Sequence, residues 1–354
     1  MIVVNCRFLS QEVTGVQRFA EEIASQLAMM RDDLVFVAPP GRLRRNALGG
    51  RRVEQIGTRG GHAWEQWDLP RAMSRRYDGA LLVSLMNTGP IAYRNQVVTH
   101  HDVTYVRHPE TYSLKFRTAY RLQASILLRR ARAVVTVSEF SRREIADVYG
   151  LDPARIYVVP NAASSQFSMP DGESAPGSYY LAVASQLPHK NLNFLVKAFV
   201  AFVERTGSPR TLRLVGTAPA FGEDGGPELT HPRVEWSGRV SDTELAALYR
   251  GARALIIPSL YEGFGVPPLE AQASGCPVLS SSAASLPEVL RDSALYFDPT
   301  DSEDLVRLLT TSDAFSQHER ERLRSLGARN VARFDWRRSA SLLSEMLDTL
   351  QAGR

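Results

Sequence analysis

Short apolar runs alternate with stretches of helical spacing from one end of this 354-residue sequence to the other. That alternation constrains the fold more than any other feature. A run of Val, Ile and Leu without polar alternation is a strand covered on both faces, and such strands lie parallel to their neighbours. A parallel neighbour is reached by a crossover of about a dozen residues, which a helix usually fills. Residues 2–6, 34–38, 80–84, 96–100, 133–137 and 156–159 read as strands of a first series, with helical spacing over 16–30 and 112–130. Residues 162–178, rich in Ser, Ala, Gly and Pro, then read as a linker. A second series follows, with strands at 179–184, 211–215, 234–236, 254–257, 278–280 and 294–297, helices at 192–206 and 242–249, and a last helix at 336–351. The chain also exceeds the roughly 100 to 200 residues at which one core usually stops growing. The expectation is an α/β protein of two doubly wound domains, 1–170 and 171–335, with a C-terminal helix, 336–354, packing back on the N-terminal domain. Open parallel sheets bind ligands at the carboxyl ends of their strands, so two such domains facing each other would make a cleft.

Composition narrows the class. Apolar residues at 44% and charged residues at 23% are the balance of a folded globular protein. Apolar stretches such as 252–260 fall well short of the roughly 20 residues that span a bilayer, so no transmembrane helix is expected. Residues 1–9 carry no basic leader and read as a buried strand rather than a signal peptide. Cys6 and Cys276, each inside an apolar stretch, fit buried thiols in a reducing cytoplasm better than a disulfide or metal framework. The net charge of +4 hides an asymmetry, since residues 1–150 hold 22 Lys and Arg against 14 acids and the remainder 20 against 24. Arg42, Arg44, Arg45, Arg51 and Arg52 cluster in one loop-like stretch, and Arg71, Arg75, Arg76, Arg129, Arg130 and Arg132 add to the excess. Such a surface suits anionic lipid headgroups at the inner face of the plasma membrane, or an acidic acceptor, at about 1 kcal/mol per charge near a membrane. A solvated Arg-rich surface is the plainer reading. Nucleic acid is disfavoured, because aromatic residues do not interleave with these arginines as stacking platforms.

The segment 254–280 carries the strongest chemical signal. A buried strand ends at Pro258, a loop with Glu262, Gly263 and Gly265 follows, and Pro267 and Pro268 fit the first turn of a helix that stops at Gly275. Glycine before a helix start offers backbone N–H groups to a phosphate. Glu262 in the loop and Glu270 in the first turn do not form an acid/base pair on one helix face, but each carboxylate can accept two hydrogen bonds from vicinal hydroxyls. The competing reading leaves Glu270 to the helix dipole and Glu262 to water. Residues 181–192 open the second series with a strand, a polar turn and Lys190 before a helix, where a lysine can stabilise a departing diphosphate or simply sit on the surface. In the first series His100, His101 and Asp102 follow a strand directly. A metal site lacks a supporting cluster there, a structural histidine is common, and a catalytic one is the third possibility. Thr14 and Gly15 precede the first helix and can bring backbone N–H groups to an anion, but one glycine falls short of a dinucleotide fingerprint.

Glu262-Gly-Phe-Gly-Val-Pro-Pro-Leu-Glu270, with its two glutamates seven residues apart, closely resembles the signature of glycosyltransferase family 4, retaining enzymes of the GT-B fold with two Rossmann-like domains. Pro258, Ser259, Ala271, Gly275, Pro277 and Val278 fit the same pattern, and matches at 135–141, 158–161 and 236–245 extend the resemblance over most of the chain. The resemblance implies that Glu270 binds the ribose and Glu262 the transferred sugar, with Gly263, Phe264, Gly265 and Val266 lining the donor. It implies donor contacts from Gly15, Lys190 and Asn191, and base packing near Arg239 and Val240. It places His101 and Asp102 at the reacting sugar with Lys190 and Glu262 as the other catalytic groups, and Thr14, Arg18 and Ser138 on the acceptor side. Two positions depart from the family, Gln186 where an arginine is expected and Ala162 where glycine often follows the asparagine. The first removes a charge from the phosphate clamp that His189 or Arg239 would have to replace.

By resemblance to bacterial mannosyl- and rhamnosyltransferases of surface polysaccharide assembly, the expected reaction moves such a sugar from a nucleotide diphosphate to a glycan or polyprenyl-diphosphate-linked acceptor. No cofactor is implied, and no Asp-x-Asp or paired carboxylate cluster suggests a metal. A nucleotide-sugar epimerase would share the architecture but need an acid/base pair and no acceptor site. A non-catalytic lipid or nucleic-acid binder built on the basic half would show salt-sensitive binding and consume no sugar nucleotide.

Overall fold

The computed structural model describes residues 1–44, 48–169, 177–183, 185–217 and 231–353. It divides into two compact units, Met1–Asn161 with Asp335–Arg354, and Ala162–Phe334. The boundary expected at 170/171, the end of the strand expected over 179–184, and Arg45 lie outside the described residues.

The first unit is a seven-stranded sheet in the order β3-β2-β1-β4-β5-β6-β7. Its strands are β1 (Ile2–Asn5), β2 (Leu34–Ala38), β3 (Val53–Gln55), β4 (Leu81–Ser84), β5 (Gln96–Thr99), β6 (Ala133–Thr136) and β7 (Ile156–Val158). Every pairing is parallel. β1 is wholly buried at the centre, which is why its apolar run shows no alternation. The helices are α1 (Gly15–Met30), α2 (Gly61–Ala63), α3 (Leu69–Arg75), α4 (Thr104–Arg107), α5 (Leu114–Arg130) and α6 (Glu139–Tyr149). Phe19, Ile23, Ala24 and Leu27 form the buried stripe of α1, at the spacing a helix needs to cover a sheet. Between α2 and α3 the residues Trp64–Asp68 wind into a π-helix.

The second unit is a six-stranded parallel sheet in the order β10-β9-β8-β11-β12-β13. Its strands are β8 (Tyr179–Val183), β9 (Thr211–Val215), β10 (Val234–Gly238), β11 (Ala252–Ile257), β12 (Val278–Ser281) and β13 (Leu295–Phe297). The helices are α7 (Leu192–Thr206), α8 (Asp242–Gly251), α9 (Val266–Ala273), α10 (Leu286–Leu290), α11 (Ser302–Asp313) and α12 (Gln317–Val331). Leu195, Phe199 and Phe202 of α7 join Tyr180, Leu212, Ile256 and Leu305 in its core. Ser241 and Glu244 close a reciprocal capping box at the start of α8, holding two donors that the helix cannot satisfy itself.

The last helix, α13 (Trp336–Ala352), belongs to the first unit. Trp336 meets Phe19 of α1 edge-on at 6.1 Å, and Arg31 Nη1 donates to Ser344 Oγ at 2.8 Å and Asp348 Oδ1 at 2.6 Å. Ala340, Leu343 and Leu347 are fully buried. Leu343→Ala is therefore expected to destabilise this unit by about 2–5 kcal/mol through lost transfer energy and the cavity left behind. Earlier amide exchange in β1 and β4 during a urea titration would register that loss.

Candidate active site

β8 and β11 are hydrogen-bonded neighbours in the second sheet, so the loops that follow them emerge side by side at its carboxyl edge. The loop after β8 ends in a single 3-10 turn, Pro188–Lys190. Asn191 then adopts a left-handed conformation, φ 59°, to start α7, a region that asparagine tolerates better than most residues. Its side-chain amide donates to the Pro258 and Pro299 carbonyls at 3.2 and 2.9 Å. The Leu260 N–H donates to the His189 carbonyl at 2.8 Å. The two loops are thus stitched together, and the result is the central contact of the site. Lys190 Nζ lies 2.7 Å from Glu262 Oε1, and the same oxygen accepts from Ser259 Oγ at 2.7 Å. The lysine side chain is 27% exposed and the glutamate 15%, so both are reachable from solvent.

α9 begins just beyond. Gly265 has φ 95°, and a Cβ there would fall 2.9 Å from Leu286 Cδ2, so glycine suits both the backbone and the space. Phe264 is buried edge-on against Phe334 at 5.5 Å. Gly263 is also buried and Val266 half-buried. Pro267 and Pro268 occupy the second and third helical positions and lack N–H groups. The orphaned donors of this helix start therefore reduce to Gly265 and Val266, fewer than a glycine-preceded helix start suggests. Glu270 lies in the second turn rather than the first, and it is buried. Its Oε2 accepts from the Tyr249 hydroxyl at 3.3 Å. Burial and the adjacent carboxylate push that hydroxyl well above the usual tyrosine range.

Gln186 is exposed, and its amide donates to the Thr217 carbonyl at 2.7 Å. His189 is buried, whereas Arg239 is exposed and Val240 half-buried in the turn after β10. Burial thus makes Arg239 the more accessible of the two candidate cations.

In the first unit His101 follows β5 and is buried, its ring edge-on to Phe19 at 4.9 Å. Its backbone N–H donates to Asn87 Oδ1 at 2.8 Å, and its Nε2 is buried without a hydrogen-bond partner among the described residues. Asp102 Oδ1 accepts from the Thr104 N–H at 2.9 Å and its hydroxyl at 2.6 Å, so part of this carboxylate is committed to starting α4. His100 points into a tyrosine cluster, with Nε2 2.9 Å from the Tyr105 hydroxyl. Thr14 caps α1, and both its N–H and its hydroxyl are turned to Gln17 Oε1. The Thr14 N–H anticipated for an anion is thereby occupied. Around Gly15 a Cβ would meet nothing within 4 Å. Arg18, one turn into α1, is half-buried and feels the charge of Glu22. Ser138 is buried, with its Oγ accepting from the Ser141 N–H at 3.0 Å, a helix cap rather than an open contact. Among the described residues no group of three His, Cys, Asp or Glu is gathered to hold a metal ion.

The family model described as Glycosyltransferase Family 4 matches residues 13–166, and that described as Glycosyl transferases group 1 matches residues 166–324. The chain belongs to glycosyltransferase family 4. Among its relatives is the O-antigen chain mannosyltransferase RfbU of Salmonella typhimurium, 29% identical over 68% of this chain and 67% of that one. Another is the O-antigen chain mannosyltransferase B of Escherichia coli, 32% identical over 69% of this chain and 65% of that one. The matched stretch is thus about two thirds of each relative. Solved structures of the same GT-B fold include sucrose-phosphate synthase from Thermosynechococcus elongatus, with TM-score 0.75 at 17% identity over 100% of this chain and 99% of that one. WaaG, a glycosyltransferase of lipopolysaccharide biosynthesis, has TM-score 0.72 at 16% identity over 98% and 99%.

One cluster in this family member escaped the sequence. Arg7, just after β1, donates from Nε to Glu65 Oε1 at 3.2 Å and from Nη2 to Thr88 Oγ1 at 2.8 Å. Asn5 at the end of β1 donates to the same Glu65 oxygen at 3.0 Å. Burial pushes the Glu65 carboxyl up, but His62, Arg7, Thr88 and Asn5 more than offset it and hold it below the usual glutamate range. Glu65 sits in the π-helix, a form that often marks functional segments. The sequence hint is an isolated arginine closing an apolar strand.

Burial lowers the basicity of His100 and His101, with the charge of Asp102 opposing it. A histidine depressed in the folded state contributes stability that is complete above its unfolded value, about 6.5, and is lost as pH falls from there towards its folded value. Unfolding free energies from urea titrations should therefore fall between about pH 6.5 and 5, by up to about 1.4 kcal/mol per pH unit per histidine. His100→Gln or His101→Gln should flatten that slope, and equal slopes in wild type and both variants would contradict the assignment.

Proposed function

We propose that this chain is a retaining, metal-independent transferase that moves mannose from a nucleotide-diphosphate donor to a glycan or lipid-linked glycan. The reading rests above all on the 2.7 Å contact between Lys190 and Glu262, two groups that the chemistry needs side by side. The mannosyltransferases among the relatives supply the sugar. Crystal structures of Anabaena HepE, a fold neighbour at TM-score 0.73 and 17–18% identity, contain UDP, UDP with glucose, or UDP-glucose, which supports a nucleotide-sugar donor. Peripheral membrane contact through the basic first unit is part of the same reading, and neither a cofactor nor nucleic acid is.

As the donor binds, its diphosphate competes for Lys190 while a sugar hydroxyl takes the Glu262 oxygen that the lysine gives up. Glu270 accepts the two ribose hydroxyls, and Gly265 and Val266 present their N–H groups to phosphate or sugar. The bond from the anomeric carbon to the diphosphate oxygen then breaks, and negative charge grows on the leaving group. Lys190 stabilises that charge most where it is greatest, in the transition state. The acceptor hydroxyl oxygen bonds to the same face of the anomeric carbon, and its proton passes to the departing phosphate oxygen. His101, neutral and with Nε2 lacking a hydrogen-bond partner among the described residues, is suited to a hydrogen bond with the donor sugar.

Lys190→Ala is expected to lose on the order of 10²-fold or more in turnover. Glu270→Ala should chiefly weaken binding of the nucleoside diphosphate, and Glu262→Ala should chiefly lower kcat. A thermal-shift screen across GDP, UDP, dTDP and ADP identifies the base, since ligand at 100 times its Kd stabilises by about 2.7 kcal/mol. Wild-type kinetics and wild-type nucleotide affinity in all three variants would overturn the site. Activity should also survive EDTA, and complete loss restored by magnesium or manganese would overturn the metal-free chemistry.

A further inference from the structure

Glu262 and Glu270, the two carboxylates of the glutamate segment, are met by different kinds of group. Glu262 faces the Lys190 ammonium, whereas Glu270 Oε2 accepts from a phenol, the Tyr249 hydroxyl on α8, at 3.3 Å. The ammonium carries a charge and the phenol does not. Tyr249 is also fixed in place. Its side chain is fully buried, the ring edge-on to Phe167 at 5.9 Å, and α8 starts in a reciprocal cap and runs into β11 without a loop. A side chain packed in this way leaves its hydroxyl a narrow range of positions. Glu270 sits on α9 and is itself buried. The terminal torsion of a glutamate is broad by nature, so a donor fixed on the neighbouring helix is what sets the plane of this carboxylate. Burial and the carboxylate's own charge hold the hydroxyl well above the usual tyrosine range, and it stays a donor wherever a carboxylate is ionised.

An ionised carboxylate offers about four acceptor positions on its two oxygens. Tyr249 takes one, which leaves room for two vicinal hydroxyls. Because the phenol is neutral, it orients the carboxylate without cancelling its charge, and hydrogen bonds to a charged group are about twice as strong as those between neutral ones. We propose that Tyr249 is a positioning residue for nucleotide recognition: its hydroxyl fixes the Glu270 carboxylate in the orientation that receives both ribose hydroxyls, and so sets the preference of the site for ribonucleotides over deoxynucleotides. This rests on the reading of Glu270 as the ribose ligand.

The test is isothermal titration of the full chain with GDP, UDP and ADP, each beside its 2′,3′-dideoxy analogue. For the base that binds, wild type should prefer the ribonucleotide on the order of 100-fold, Glu270→Ala should reduce that preference to about twofold or less, and Tyr249→Phe should reduce it to about tenfold. Tyr249→Phe should bind the dideoxy analogue as wild type does, because only the hydroxyl contacts are disturbed. A tyrosine that merely satisfies a buried carboxylate would, once removed, weaken both ligands equally or neither. Either result overturns the proposal. If none of the three nucleotides binds, if wild type binds the ribo and dideoxy forms alike, or if Glu270→Ala keeps the preference, the ribose reading falls and this proposal falls with it. Loss of preference in Glu270→Ala with the full preference in Tyr249→Phe leaves that reading standing and overturns this one. Tyr249→Phe removes one oxygen and keeps the ring against Phe167, so its unfolding midpoint should stay within a few degrees of wild type. Should it not fold, the wild-type protein carries the test by proton NMR. The Tyr249 hydroxyl proton, a slowly exchanging downfield resonance that Glu270→Ala removes, should shift with the ribonucleotide and not with the dideoxy analogue, and an equal response to both would overturn the proposal.

Discussion

A strand can lie parallel to its neighbour only if the chain crosses back over the sheet before pairing again, so in a parallel sheet every strand releases its chain at the same edge. The rest of this structure follows from that constraint. Crossovers that run first to one side of the opening strand and later to the other leave two adjacent strands whose following loops diverge. In the first sheet those strands are β1 and β4, and in the second β8 and β11. Lys190 follows β8 and Glu262 follows β11. Neither strand order nor hydrophobic burial requires a charged pair there, but the topology makes it the place where two loops from distant parts of the sequence meet at close range.

Both divergence points hold a cation against a glutamate, and the difference between them is accessibility. Arg7 and Glu65 are 4% and 0% exposed at their side chains, with Asn5 and Thr88 completing the hydrogen bonds. Removing one partner from such a pair strands a buried charge, so its plain consequence is to fix the loop geometry around β1 and the π-helix. Lys190 and Glu262, with 27% and 15% exposure, can exchange partners without either charge passing through an apolar phase. The first pair is built to stay, and the second can open.

How much of this was legible in the sequence depended on burial and on range. Apolar runs announced twelve of the strands, most plainly β1, β4, β5, β6, β11 and β12, which are buried along their whole length, whereas β10 alternates half-buried and exposed residues. β3, with the sequence Val-Glu-Gln at the sheet edge, has no such run and follows directly on the arginine-rich stretch that ends at Arg52. The glutamate segment was readable because its spacing is local. The Arg7–Glu65 pair was not, since its members lie 58 positions apart and nothing local marks either as the other's partner. Local geometry was also underestimated. Thr14 looked like a donor for a ligand until Gln17, one helical turn on, took its N–H. The two prolines that marked the start of α9 are the residues that deprive it of donors.

These losses of positive character bear on how the proposed donor is held. Lys190 begins neutralised by Glu262, Gln186 brings no charge, and α9 offers two N–H groups before Pro267. A diphosphate arriving here therefore meets little uncompensated positive potential from these residues. It gains the lysine only to the extent that something else satisfies Glu262, and a sugar hydroxyl donating to that carboxylate does so. Under the proposed chemistry, phosphate binding and sugar recognition thus share one oxygen atom, Glu262 Oε1. The complete donor holds both ends of the exchange, whereas a bare nucleoside diphosphate must take the lysine and leave the glutamate to Ser259 and water. Discrimination between donor and product would then arise from the ion pair itself, and replacing Gln186 with a fixed arginine would weaken that discrimination by giving the phosphate a partner that owes nothing to the sugar.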